Sequence, residues 1–236
     1  MNIKNQTRRT RAKLGAGRVS NSKNYEIIAV KTHIITDKDK IDDVIEKYTR
    51  DIRKPNDIIT ISESVVAMTQ GRAVPTSRIK PGLLARILWR FVRKVPYGIG
   101  LRNPYSMECA IRESGALRIL LASLVSAITK LFGRRGDFYR VAGIQARMID
   151  APGTAGLKQY LDCVILGPKD PEKVTQDLAD KIGVNVAIVD VNDITGCWVV
   201  SASKGSDIKL IEEALDDNPA GQGDACTPII IVRPAQ

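Results

Sequence analysis

Apolar and polar positions alternate in blocks along this chain, and the blocks predict strands and helices in turn. Tyr25 to Ile35 is apolar and β-branched, which predicts a strand. Lys38 to Tyr48 places Ile41, Val44, Ile45 and Tyr48 at helical spacing, and Asp57 to Ala67 predicts a second strand ending near Gly71. Toward the C-terminus, Cys163 to Leu166 is a short apolar strand. Asp170 is placed to cap a helix with Pro171 at its first position, and Gly183 stops it before the strand Val184 to Val191. The pattern then repeats, with Cys197 to Ala202 a strand, Ile208 to Leu215 a helix ending at Asp217-Asn218-Pro219, and Pro228 to Val232 a last strand. Such alternation predicts an α/β (α+β mixed) fold with helices packed on a sheet.

Two mid-chain segments interrupt this alternation. Leu83 to Val95 puts Leu83, Leu84, Ile87, Leu88, Phe91, Val92 and Val95 on one arc and Arg86, Arg90, Arg93 and Lys94 on the other, a basic amphipathic helix that packs on the body or meets a membrane surface or acidic partner. Leu117 to Phe132 is rich in Leu, Ile and Val, but only Ile119 to Thr129 lies uncharged between Arg118 and Lys130. A span needs about 20 apolar residues, so a buried or dimer-facing helix is expected. Residues 1–24 have no apolar periodicity and read as a disordered basic tail, leaving 25–236 as one domain.

Charge refines this picture. The formal charge is +10, from 36 Lys and Arg against 26 Asp and Glu. Seven of the basic residues lie in 1–24 and eight in 72–102, with no acid in either segment, so the rest of the chain sums to −5. Nucleic acid is therefore not the expected partner. Four widely spaced cysteines, Cys109, Cys163, Cys197 and Cys226, form no CxxC and predict reduced thiols. The basic N-terminus lacks an apolar signal core, and a cytoplasmic protein is expected.

The sequence contains no GxxxxGK[ST] loop, no GxGxxG after a strand, no HExxH and no GxSxG. Its single histidine, His33, has no evident Ser or Cys partner for a hydrolase triad. Oxygen donors at segment ends remain. Asp190, Asn192 and Asp193 follow a buried strand, where α/β sheets present ligands, and suit either a hard cation or a plain turn. Gly221-Gln222-Gly223-Asp224 and Asp150 before Ala151-Pro152-Gly153 are further glycine-and-acid loops, either phosphate cradles or tight turns. Ser62 and Ser64 close the second strand with hydroxyls.

The stretch Asp57-Ile-Ile-Thr-Ile-Ser-Glu-Ser-Val-Val-Ala-Met-Thr-Gln-Gly-Arg72 resembles the early Ser-Ser…Lys-Ala-Glu-Gly-Arg segment of coenzyme F-420:L-glutamate ligases. Ile111-Arg-Glu-Ser114, Leu166-Gly-Pro-Lys-Asp-Pro171 and Gly221-Gln-Gly-Asp-Ala-Cys-Thr-Pro228, the last followed by an apolar strand ending in Arg233, resemble later motifs of that family in the same order. The resemblance implies a coenzyme F-420:glutamate ligase-like fold with the basic amphipathic and hydrophobic helices inserted mid-chain. It implies a homodimeric, GTP-dependent ligase that uses Mg²⁺ or Mn²⁺, in some members with K⁺, to join L-glutamate to a small-molecule carboxylate through an acyl phosphate. By position it implies metal ligation by Asp150, Asn192 and Asp193, and nucleotide contacts at Thr32, His33, Ser62, Ser64, Gln222 and Asp224. Met68 and Gln70 stand where the family has Lys and Glu, and Val191-Asn-Asp-Ile-Thr-Gly196 departs from the family's Ser-Asp-Thr-Phe-Gly-Arg. The alternative is a non-catalytic relative, serving as a dimeric binding or membrane-surface module through Leu83 to Val95.

Overall fold

A computed structural model describes residues 16–21, 24–92, 99–134, 136–192, 196–221 and 225–235, with 16–21 and 192 described by backbone alone. These residues form two compact units, one of the chain up to Gln70 together with Pro168 onward, the other Gly71–Gly167, where the sequence pattern predicts one domain.

The first unit is built on a six-stranded sheet. Its strands are β1 (Ala16–Asn21), β2 (Tyr25–Val30), β3 (Ile58–Ser62), β6 (Asn185–Asn192), β7 (Gly196–Ala202) and β8 (Ile229–Pro234), in the order β1-β2-β8-β3-β6-β7. All neighbours are antiparallel except β3 and β6. Alternate residues face opposite sides of the sheet, and both sets are apolar in the central strands. Ile27, Ala29, Ile58, Ala187, Val189, Ile230 and Val232 pack in one cluster with Ile211, Ala214 and Leu215 of α9 (Ile208–Leu215). The intervening Ile28, Ile59, Ile61, Val186, Ile188, Ile229 and Ile231 are buried as well, so both faces are covered, as a sheet with near-continuous apolar strands requires. The other helices of this unit are α1 (Ile41–Thr49), α2 (Glu63–Thr69) and α8 (Pro171–Ile182). Gly183 ends α8 in the left-handed region at φ 74°, where a residue with a Cβ is strained.

Several boundaries depart from the sequence pattern. Order starts ahead of Tyr25, because β1 pairs with β2 from Asn21↔Glu26 to Ala16↔Val30. The first strand stops at Val30, and the Thr32 N–H then donates to the Cys226 carbonyl at 2.8 Å. The strand predicted over 57–67 turns into helix at Glu63. The Ser62 N–H donates to the Pro228 carbonyl, but Pro228 has no N–H to return, so the antiparallel ladder with β8 cannot extend and the chain leaves the sheet as α2.

The second unit pairs β4 (Ala73–Pro75) with β5 (Cys163–Ile165) and carries α3 (Leu83–Leu88), α4 (Pro104–Ser114), α5 (Ala116–Leu131), α6 (Asp137–Ala142) and α7 (Ile144–Arg147). Asn103 caps α4 by accepting the Tyr105 N–H at 2.8 Å. Its core is made of Ile79, Leu101, Met107, Ile119 and Val164 with alanines 85, 110, 122, 142 and 146, small residues that let short helices approach closely. The predicted helix over Leu83 to Val95 is shorter: α3 ends at Leu88 and a 3₁₀ turn covers Trp89–Phe91, while 93–95 lie outside the described residues. The helix expected to be buried or dimer-facing, α5, buries only Ile119 and Ala122 within the chain and leaves its Leu-rich side exposed. Among the described residues no single helix is long and apolar enough to cross a membrane; α4 and α5 pass that test only as a pair bent by 114°.

Candidate functional site

One end of the large sheet collects most of the predicted nucleotide-contacting positions. The registers Val30↔Ile229, Ile61↔Ile229 and Ser62↔Val189 bring the C-terminal ends of β2, β3 and β6 beside the N-terminal end of β8. Thr32 and His33 leave β2 there, Ser62 closes β3, Ser64 lies in the first turn of α2, Asn192 closes β6, and Ala225 to Thr227 leads into β8. Gln222, Asp224 and Asp193 lie outside the described residues, as does the Asn192 side chain. Asp150 belongs to the second unit, where its N–H donates to the Ile165 carbonyl at 2.9 Å and its carbonyl accepts the Ile165 N–H at 3.2 Å. Among the described residues no three His, Cys, Asp or Glu gather as a metal-holding group. The described donors therefore do not complete a metal site by themselves.

His33 sits in a defined network. The His33 N–H donates to the Tyr48 hydroxyl oxygen at 3.0 Å, Nδ1 lies 2.9 Å from that same hydroxyl, and Nε2 lies 2.9 Å from Asp39 Oδ1. The neutral tautomer with its proton on Nε2 satisfies all three contacts, since the Tyr48 O–H then donates to Nδ1 and Nε2–H donates to the carboxylate. Asp39 also accepts the Thr36 N–H at 2.8 Å, and the His33 bond followed by this backbone bond holds its carboxyl below the usual carboxylate range. A depression of about 300 Å³ beside this network is lined by His33, Lys38, Asp39, Lys40, Asp43, Val44 and Lys47. These three lysines carry positive charge next to His33, a feature that motif reading passed over because they sit within an ordinary amphipathic helix pattern. Cys226 adopts φ 52°, in the left-handed region that non-glycine residues seldom enter, while its carbonyl holds Thr32.

Other motif residues tie the scaffold. Asp57, fully buried at the start of β3, receives Arg233 Nε at 2.8 Å and Nη2 at 2.9 Å, and Arg233 Nη1 reaches Glu26 at 2.9 Å. The first and last motifs are thus locked by a bidentate ion pair. Gln70 exchanges both amide hydrogen bonds with the backbone of Lys169, at 3.0 and 2.7 Å, joining the first motif to Leu166-Gly-Pro-Lys-Asp-Pro171. Within the second unit Arg72 pairs with Glu113 at 2.5 Å, linking Gly-Arg72 to Ile111-Arg-Glu-Ser114, and also donates to the Gly167 carbonyl. Met68, at the family's lysine position, is 5 % exposed.

A mixed sheet covered on both faces defines an α/β protein, and at one end of it the termini of several strands meet the loops that follow them. The chain belongs to the F420-0:Gamma-glutamyl ligase family, whose model matches residues 29–205, well over half of the 236 residues. Membership indicates F420-0:gamma-glutamyl ligase-like function, in coenzyme F-420 biosynthesis. The closing motif around Gly221 to Arg233 lies beyond the matched span. No curated protein matches the chain.

Proposed function

We propose that this protein is a GTP-dependent amide ligase that joins L-glutamate to a carboxylate of a small-molecule acceptor of the deazaflavin class. The observation that carries this reading is the convergence of Thr32, His33, Ser62, Ser64 and the Ala225 to Thr227 segment at one sheet end in a member of this family. The acceptor carboxylate takes the γ-phosphoryl group of GTP, giving an acyl phosphate and GDP. The glutamate amine then attacks the acyl carbon, phosphate leaves, and the amine loses a proton. A divalent ion, Mg²⁺ or Mn²⁺, supplies charge neutralisation when bound, and the oxygen donors Asn192 and Asp193 suit a hard cation.

Backbone amides and hydroxyls at the sheet end orient the nucleotide, with Thr32 held by Cys226 and His33 held by Tyr48. Met68 offers no charge to a phosphate, and Arg72 is engaged by Glu113 and Gly167. Lys38, Lys40 and Lys47 beside His33 are the cations that take over this role. The test is calorimetric titration of GTP with Mn²⁺ into wild type, Asp193→Ala and Lys38→Gln/Lys40→Gln. Binding in wild type that weakens about tenfold or more in both variants is expected, since each loses a charged contact. Equal binding in all three removes these residues from the account, and no binding to wild type removes the nucleotide.

A further inference from the structure

We propose that the second unit docks on the surface of an anionic lipid bilayer through the outward side of α5, an interaction separate from the ligase reading above. Leu117, Leu121, Leu124, Ile128, Leu131 and Phe132 recur at spacings of three and four, apart from the terminal Phe132, and so lie on one side of the helix. All six are exposed, Leu117, Leu131 and Phe132 by 84, 85 and 77 %. The opposite side is fixed in the core by Ile119 and Ala122, so this stripe cannot turn inward.

Charge identifies what covers it. Gly71 to Gly167 contains sixteen Lys and Arg against five Asp and Glu, a net +11 in a chain whose total is +10. At the C-terminal end of α5 the apolar pair Leu131-Phe132 is bracketed in sequence by Lys130 and by Arg134-Arg135. Arg134 and Arg140 share the single carboxylate of Asp137, so positive charge remains in excess there. Apolar side chains flanked by cations match an acyl boundary beneath anionic headgroups. A second copy of the chain would set one +11 unit against another, and like charges oppose that contact. Nucleic acid would meet the cations but leaves six large apolar side chains without a partner. With 16 residues α5 is too short to span a bilayer, which fits a helix lying in the interface plane.

The experiment is flotation of the full-length protein with phosphatidylcholine vesicles, with and without about one-third phosphatidylglycerol, at low and high salt. Wild type is expected to float with the anionic vesicles, to stay behind with pure phosphatidylcholine, and to release as salt rises. Leu121→Gln/Leu124→Gln/Ile128→Gln replaces only exposed side chains and should keep the circular dichroism and melting of wild type while losing vesicle binding by about tenfold or more. Light scattering after gel filtration runs alongside. Absence of wild-type binding to anionic vesicles overturns the proposal. So does a wild-type dimer that the triple variant converts to monomer while vesicle binding stays unchanged.

Discussion

At Asp57 a fully buried carboxylate meets a guanidinium whose side chain is 17 % exposed, and removing one partner strands the other. Asp57→Ala is expected to cost about 3 to 5 kcal/mol in denaturant unfolding. A loss below about 1 kcal/mol would show that Glu26 alone satisfies Arg233. Met68 tests the opposite case. A lysine there places a charge in a buried position, so Met68→Lys should destabilise the free protein, on the order of 3 kcal/mol by thermal melting, unless a phosphate reaches it. Saturating GTP with Mn²⁺ should then raise the variant's melting temperature more than wild type's, whereas equal increments would detach this position from the nucleotide. Burial pushes the Cys109 thiol up to about 11 and the Cys197 thiol up to about 12. The buried Cys109 should resist a thiol-titrating reagent at pH 8 until denaturant is added and the half-buried Cys197 should react slowly, and rapid stoichiometric labelling of Cys109 in the native protein would contradict its burial. The ion pairs were not legible residue by residue: Asp57 and Arg233 are 176 positions apart, and only the register of β3 on β8 brings them together.

At the scale of elements, strands and helices of the C-terminal part follow their sequence signals closely because Pro171, Gly183 and Pro228 punctuate them. The early part was harder to read. Ser62 to Ala67 is β-branched enough to pass for strand, and what ends β3 is the missing N–H of Pro228, a partner supplied from far along the chain. The segment at β1 has no apolar alternation, so pairing with the open edge of β2 carries it instead. A chain beginning at residue 24 should therefore melt several degrees below one beginning at residue 16, at about 2 to 4 °C per kcal/mol for a protein of this size. Identical melting would mean that β1 adds nothing to the sheet. In α6, Arg134, then Thr129 and Arg140, bond Asp137 and hold its carboxyl down at about 2. A folded-state value below the unfolded one means that its stabilisation is complete above about pH 4 and is lost as pH falls toward 2. Asp137→Asn should melt lower than wild type at pH 7, and the two should converge as the solution is acidified; a gap that persists at pH 2 would point to packing rather than charge.

The whole molecule divides its properties between its two units. The first holds the six-stranded sheet and the candidate nucleotide edge, whereas the excess positive charge and the exposed apolar helix belong to the second. Fold class was legible because strand and helix periodicities differ, and family was legible because four short motifs occur in order. Division into units was not, since the first is closed by segments from both ends of the chain. The most direct test of the ligase account is incubation of the protein with GTP, Mn²⁺, L-glutamate and F420-0, following nucleotide by chromatography and acceptor by mass spectrometry. The account predicts an acceptor heavier by one glutamyl residue, with one GDP and one phosphate released per amide formed and no product when glutamate is omitted. Recovery of unmodified acceptor and intact GTP, from protein shown to be folded, would contradict it.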